Sequence, residues 1–178
     1  MKQFFQHTLL RFSFGLMLVL GAAACAERPC ENVNCGNGSC DEITGACICN
    51  EGFEGADCSV VTRQKYLGTY QATYAGCFTT SPNHEVRIEQ SNDNSTEVFI
   101  YDLGDYECPE GAGEVKLVAS IDSVKMTIAE QTIDCGSIEY TFSGEGTIQG
   151  NVLTLGFKVN YDADGIMRED DCVATLEK

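Results

Sequence analysis

Residues 138–159 read Ile-Glu-Tyr-Thr-Phe-Ser-Gly-Glu-Gly-Thr-Ile-Gln-Gly-Asn-Val-Leu-Thr-Leu-Gly-Phe-Lys-Val, and their pattern decides the fold class. Ile138, Tyr140 and Phe142 alternate with polar residues, and Leu153, Leu155, Phe157 and Val159 recur at every second position. Successive side chains of a strand point to opposite faces, so this period predicts half-buried strands. Gly150-Asn151 between the runs is a turn signal, and Ser143-Gly144 to Gly146 reads as another. The alternation extends outward through Val86/Ile88, Val98/Ile100, Val115/Leu117/Ala119 and Val124/Met126/Ile128 on one side, and Val173 on the other. Ser81-Pro82-Asn83, Ser91 to Asn94, Cys108 to Gly113 and Asp162 to Gly165 supply the turns between them. No window carries a helical stripe. The chain is therefore mostly β, and about eight short antiparallel strands over residues 66–178 argue a closed barrel or a sandwich.

Composition bounds the partners and the compartment. The 178 residues include 11 Lys+Arg against 27 Asp+Glu, a net charge of -16. Phosphate binding needs clustered cations, so nucleic acid is excluded as a partner. Eleven cysteines argue against a reducing cytosol unless they bind metal.

The first 24 residues read as an export signal. Lys2 and Arg11 precede an apolar run from Phe12 to Ala24, and no acid appears before Glu27. Thirteen residues are too few to cross a bilayer, which takes a helix of about 20. Leu20-Gly21-Ala22-Ala23-Ala24-Cys25 resembles a bacterial lipobox, with Ala22 where that motif usually has Leu. The resemblance implies cleavage before Cys25 and diacylglycerol on its thiol, with residues 25–29 as a lipidated tether. Cleavage by an ordinary signal peptidase after Ala24 is the competing reading. Cysteine parity separates them, because lipidation of Cys25 leaves ten cysteines, which can pair fully. Two or three acyl chains anchor firmly, whereas one anchors weakly. Without residues 1–24 the chain holds 9 basic and 27 acidic residues, a balance of -18, which sets it off an anionic membrane surface.

Six cysteines, Cys30, Cys35, Cys40, Cys47, Cys49 and Cys58, lie within residues 30–58. So short a segment cannot bury a self-sufficient core and needs disulfides or metal. The spacing has no nearby His and a Cys-x-Cys step, which fits a zinc site poorly, and spacing alone leaves 15 connectivities open. Cys47-Ile48-Cys49, then Gly52-Phe53, Gly55 and Cys58, make the segment resemble an EGF-like domain. That resemblance implies the pairs Cys30–Cys40, Cys35–Cys47 and Cys49–Cys58. Ala26 to Pro29 lacks the acidic cluster with which some members bind calcium. Only four residues separate Cys25 from Cys30, so the module sits within roughly 20 Å of the lipid headgroups and reads as a stalk. Residues 59–65, without Gly or Pro, form a short linker that restricts motion.

Residues 66–178 form the larger domain. The segments Lys65 to Cys77 and Asp170 to Lys178 resemble calycin-like domains of exported Bacteroidota lipoproteins, and Gly68-Thr69-Tyr70 is similar to the lipocalin G-x-W with Tyr in place of Trp. Four cysteines here allow three pairings. In a closed barrel the first and last strands are neighbours, which pairs Cys77 with Cys172 and leaves Cys108 for Cys135. Such a barrel is filled by side chains or holds one small ligand, and the bulky Tyr70, Tyr74, Tyr140, Phe142 and Phe157 favour filling.

Chemical sites are few. His84, near Pro82, stands without the oriented partners that nucleophilic catalysis needs and reads as an ordinary hairpin residue. No catalytic set and no cofactor site is read. Asn160, Asp162, Asp164, Gly165 and Asp171 are spaced as in an EF-hand loop, but Asn opens it, Asp closes it and strands flank it, so a hairpin turn is preferred to calcium. Asp122-Ser123-Val124 resembles a Bacteroidota O-glycan acceptor, with Ser123 as the candidate, against a plain polar turn. The expectation is a non-enzymatic outer-membrane lipoprotein of a bacterial envelope, anchored through Cys25, whose barrel meets an unknown protein or glycan. Alternatives are a carrier of a small apolar ligand and a purely structural envelope protein. Ala26, where Asp would retain the protein, points to the outer membrane without choosing its face.

Overall fold

A computed structural model describes residues 28–77, 84–163 and 165–178. The export segment, Cys25, Ala26, Glu27, Ser81-Pro82-Asn83 and Asp164 lie outside the described residues.

Residues 28–61 form a small disulfide-rich region. Strand β1 (Gly38–Cys40) pairs antiparallel with β2 (Cys47–Cys49), and β3 (Phe53–Glu54) with β4 (Val60–Val61). Disulfides join Cys30 to Cys40, Cys35 to Cys47, and Cys49 to Cys58. The buried apolar residues here are Cys35 and Cys58, while Ile43 and Ile48 stand exposed, so cross-links take the place of a core. The Asp41 carboxylate accepts the N–H groups of Ile43 and Thr44, which fixes the β1–β2 turn and holds its own pKa below the ordinary aspartate value.

The expected linker is built into both neighbours. Val60–Val61 pair with β3, and residues Thr62–Lys65 follow as a short 3-10 turn. The Arg63 guanidinium donates to the carbonyl oxygens of Ser91, Asn94 and Glu97, and Lys65 Nζ lies 2.7 Å from Glu54 Oε2. Tyr66 is fully buried and its hydroxyl donates to the Ser123 carbonyl at 3.2 Å. This strap closes one end of the following domain.

That domain is a closed barrel of eight antiparallel strands. They are β5 (Gly68–Ala75), β6 (His84–Gln90), β7 (Glu97–Tyr101), β8 (Lys116–Asp122), β9 (Lys125–Asp134), β10 (Glu139–Gln149), β11 (Val152–Ala163) and β12 (Ile166–Glu177). Each pairs with the next, and β12 returns to β5 from Val173 opposite Ala75 to Glu177 opposite Gln71. Closure removes the free edges an open sheet would expose.

Inward positions carry the predicted apolar residues, with two corrections of register. Cys172, Ala174 and Leu176 face the core and Val173 faces solvent; Val124 lies exposed between β8 and β9. The turn expected at Ser143-Gly144 to Gly146 is strand interior, inside β10. These glycines serve close approach: a Cβ on Gly144 would come within 2.6 Å of the Gly156 carbonyl oxygen, and one on Gly146 within 2.7 Å of that of Thr154.

The barrel is filled. Tyr66, Tyr70, Phe142, Leu103, Leu117, Leu153 and Leu155 are fully buried and pack the interior between the strands. The outer face carries exposed charges, as in the pairs Lys125–Glu145 and Lys158–Glu169. This is the reverse of a barrel whose outside meets lipid.

Candidate functional site at the barrel mouth

The end away from the strap is closed by a different device. Residues 102–115 link β7 to β8 and carry Leu103 and Tyr106 into the opening. The surrounding wall is made of inward positions: Tyr74 on β5, His84 on β6, Tyr140 and Phe142 on β10, Phe157 and Tyr161 on β11, and Asp170 on β12. Tyr106 stacks edge-on at 5.4 Å from Tyr140, 5.6 Å from Phe142 and 5.9 Å from Tyr161. Such edge-to-face contacts each add roughly 0.5–1.5 kcal/mol beyond the area they bury. Its hydroxyl donates to Asp170 Oδ2 at 2.5 Å, and the Tyr161 hydroxyl reaches the same oxygen at 3.5 Å.

A latch holds the loop from the other side. Both ring nitrogens of His84 are engaged, Nδ1 at 3.3 Å from Asp105 Oδ1 and Nε2 on the Asp102 carbonyl oxygen. The Gly104 N–H donates to the Tyr74 hydroxyl at 2.9 Å. Burial, with smaller contributions from Asp105 and Asp102, pushes the Tyr74 pKa up to about 12, partly offset by that N–H. Burial also raises Tyr140 and Tyr161, so the mouth is lined by neutral phenols. Beyond the latch, a disulfide ties Cys108 to Cys135 at the end of β9, and the Tyr140 hydroxyl donates to the Glu107 carbonyl at 3.3 Å. A second disulfide joins Cys77, just past the end of β5, to Cys172 in the middle of β12.

His84 is thus a half-buried clamp and not the plain hairpin residue expected from its neighbours in sequence. Both nitrogens face acceptor oxygens of the loop, so the ring ties β6 to residues 102–105. Asn160 and Asp162 lie on β11 and Asp171 on β12; Asp162 Oδ1 accepts the Gly165 N–H and Asp171 lies 3.8 Å from Lys158 Nζ. Among the described residues no group of three or more His, Cys, Asp or Glu is placed to hold a metal ion. Ser123 is exposed in the turn between β8 and β9, at the strap end. Cys25 and Asp164 are outside the described residues.

At the strap end, the Tyr of Gly68-Thr69-Tyr70 is buried, donates its hydroxyl to the Tyr66 carbonyl at 2.7 Å, and lies beneath Lys178, whose Nζ is 5.0 Å from the ring centre. That ammonium also donates to the Lys65 carbonyl at 2.8 Å, so the end of β12 clamps the strap. A shallow groove of about 410 Å³ lies on the outer wall, floored by Gly144, Gly156 and Phe157 and rimmed by Glu145, Lys158 and Asp171. Sequence reasoning missed the plug because Leu103 and Tyr106 are single apolar residues in an acidic stretch and give no periodic signal. No helix of the described residues is long and apolar enough to cross a membrane. No protein family, curated protein or solved structure matches this chain.

Proposed function

We propose that this chain is an exported lipoprotein, tethered through acyl chains on Cys25 in the outer membrane of a bacterial envelope, that displays its barrel for contact with a partner. One observation carries the reading. The barrel is filled and closed at both ends, by the strap at one and the Tyr106 loop at the other, so its outer wall and loops are what it offers. Geometry supports display: the chain enters through the disulfide-rich region at the strap end, and the loops at 102–115 and 135–138 leave from the opposite end. The engaged ring of His84 supports a non-enzymatic role. A carrier of apolar molecules would need an interior that these side chains do not leave.

The deciding experiment treats intact cells of the source organism with protease beside a lysed control, and follows a Cys25→Ser variant in parallel. Degradation on intact cells and release of the variant from the membrane fraction are expected. Protection until lysis would sink the display reading, and membrane retention of the variant would sink the lipid anchor.

A further inference from the structure

We infer that the barrel mouth is a binding site for a phenol ring, and that Tyr106 occupies it as the protein's own ligand. The inference does not rest on export or on the lipid anchor. Tyr106 belongs to no strand; it is delivered by the β7–β8 loop into a pocket whose walls are strand residues. Tyr140 and Tyr161 are register partners across β10 and β11, so ladder hydrogen bonds hold these walls whether or not the ring is present. Asp170 projects inward from β12 with 7% of its surface exposed. Burying a carboxylate is costly, and an apolar residue would fill this place without that penalty. What the carboxylate supplies is one fixed acceptor in an aromatic pocket, and apolar walls with a single placed polar group are the pattern of a ligand site.

The loop is fastened beside the ring: Gly104 is bonded to Tyr74, and Asp102 and Asp105 to His84, on the β5–β6 side of the mouth, and a Cβ on Gly104 would come within 2.6 Å of the Tyr106 ring. Asp102, Gly104 and Asp105 have φ of 61°, 78° and 62°, a left-handed backbone that turns the chain sharply before Tyr106. The pocket therefore has the shape of a tyrosine side chain entering from the distal end, hydroxyl towards Asp170. Its ligand class is a para-substituted phenol.

The test uses the full mature chain with its disulfides intact and p-cresol, the tyrosine side chain as a free molecule. Folded Tyr106→Ala is expected to bind p-cresol saturably and to gain melting temperature from it, while the unsubstituted protein gains none at the same concentrations. Toluene, which lacks the hydroxyl, is expected to bind the variant about tenfold more weakly, the worth of one hydrogen bond. Asp170→Leu added to Tyr106→Ala should bring p-cresol down to the level of toluene. N-acetyltyrosinamide separates the sources of such a ring: its binding assigns the pocket to a peptide tyrosine, and its exclusion while p-cresol binds assigns it to a free phenol. Equal binding of p-cresol and toluene, equal gain by the unsubstituted protein, or tighter binding of tetramethylammonium would each overturn the inference. Tyr106→Phe keeps the ring and guards against a variant that does not fold: it must melt below the unsubstituted protein, and an unchanged melting temperature refutes the hydroxyl's role.

Discussion

The side-chain amide of Gln131 pairs with the backbone of Val118 as a neighbouring strand would: its Oε1 accepts the Val118 N–H at 2.9 Å and its Nε2 donates to the Val118 carbonyl at 2.8 Å. The ladder between β8 and β9 spans only Ser120 to Asp122 against Lys125 to Thr127. Above it β9 carries an extra residue, since Gly144 faces Ile128 while Phe142 faces Gln131, and the two strands part. Gln131→Ala should cost about 1 kcal/mol by removing this bridge. Hydrogen exchange at the Val118 amide should quicken in the variant while the amides of β11 and β12 stay protected; an unchanged Val118 rate would refute the bridge.

Which parts of this architecture a reader of the sequence can reach follows from the range of the interactions. Alternating burial is local, so Leu153, Leu155, Phe157 and Val159 announce β11 directly. The Gln131 bridge and the Tyr106 plug depend on partners 13 and 64 residues away, and neither leaves a pattern along the chain. Glycine is ambiguous by nature: Gly144 and Gly146 read as a turn because the closeness of β11, which requires them, is visible only in three dimensions.

That ambiguity can be measured on three glycines. Gly156 is exposed inside β11, and a Cβ there would meet only the Glu145 carbonyl oxygen, at 3.9 Å. Gly156→Ala should therefore be neutral or stabilise by up to about 1 kcal/mol through reduced backbone entropy of the unfolded chain. Gly144→Ala and Gly146→Ala force a side chain against β11 and should each destabilise by roughly 1–3 kcal/mol. Urea unfolding of the three variants checks the order, and a Gly156→Ala protein as weakened as the other two would contradict it.

The two barrel disulfides differ in the loop they close. Cys77 and Cys172 are 95 residues apart, Cys108 and Cys135 only 27. In the chain-entropy account the longer loop stabilises by about 1 kcal/mol more. Cys77→Ala/Cys172→Ala should thus unfold at lower urea than Cys108→Ala/Cys135→Ala. The second pair should instead show faster exchange at Gly104, because it frees one end of the plug. Protection of Gly104 equal to that of the unsubstituted protein would mean that the His84 latch alone holds the loop.

Alkali should unfold the protein through its buried phenols. Burial raises the pKa of Tyr66, Tyr70, Tyr74, Tyr140 and Tyr161, and that of Tyr74 to about 12, whereas an unfolded tyrosine ionises near 10. The folded state thus binds these protons more tightly than the unfolded one. Their contribution is fully present below pH 10 and is lost as pH rises through the folded values. Each group still protonated in the fold lowers stability by roughly 1.4 kcal/mol per pH unit in that window. The melting temperature should be level up to about pH 10 and then fall steeply, with most tyrosinate absorbance appearing only as the barrel unfolds. Ionisation of all seven tyrosines near pH 10 in a protein that stays folded would show that water reaches the phenols of both barrel ends.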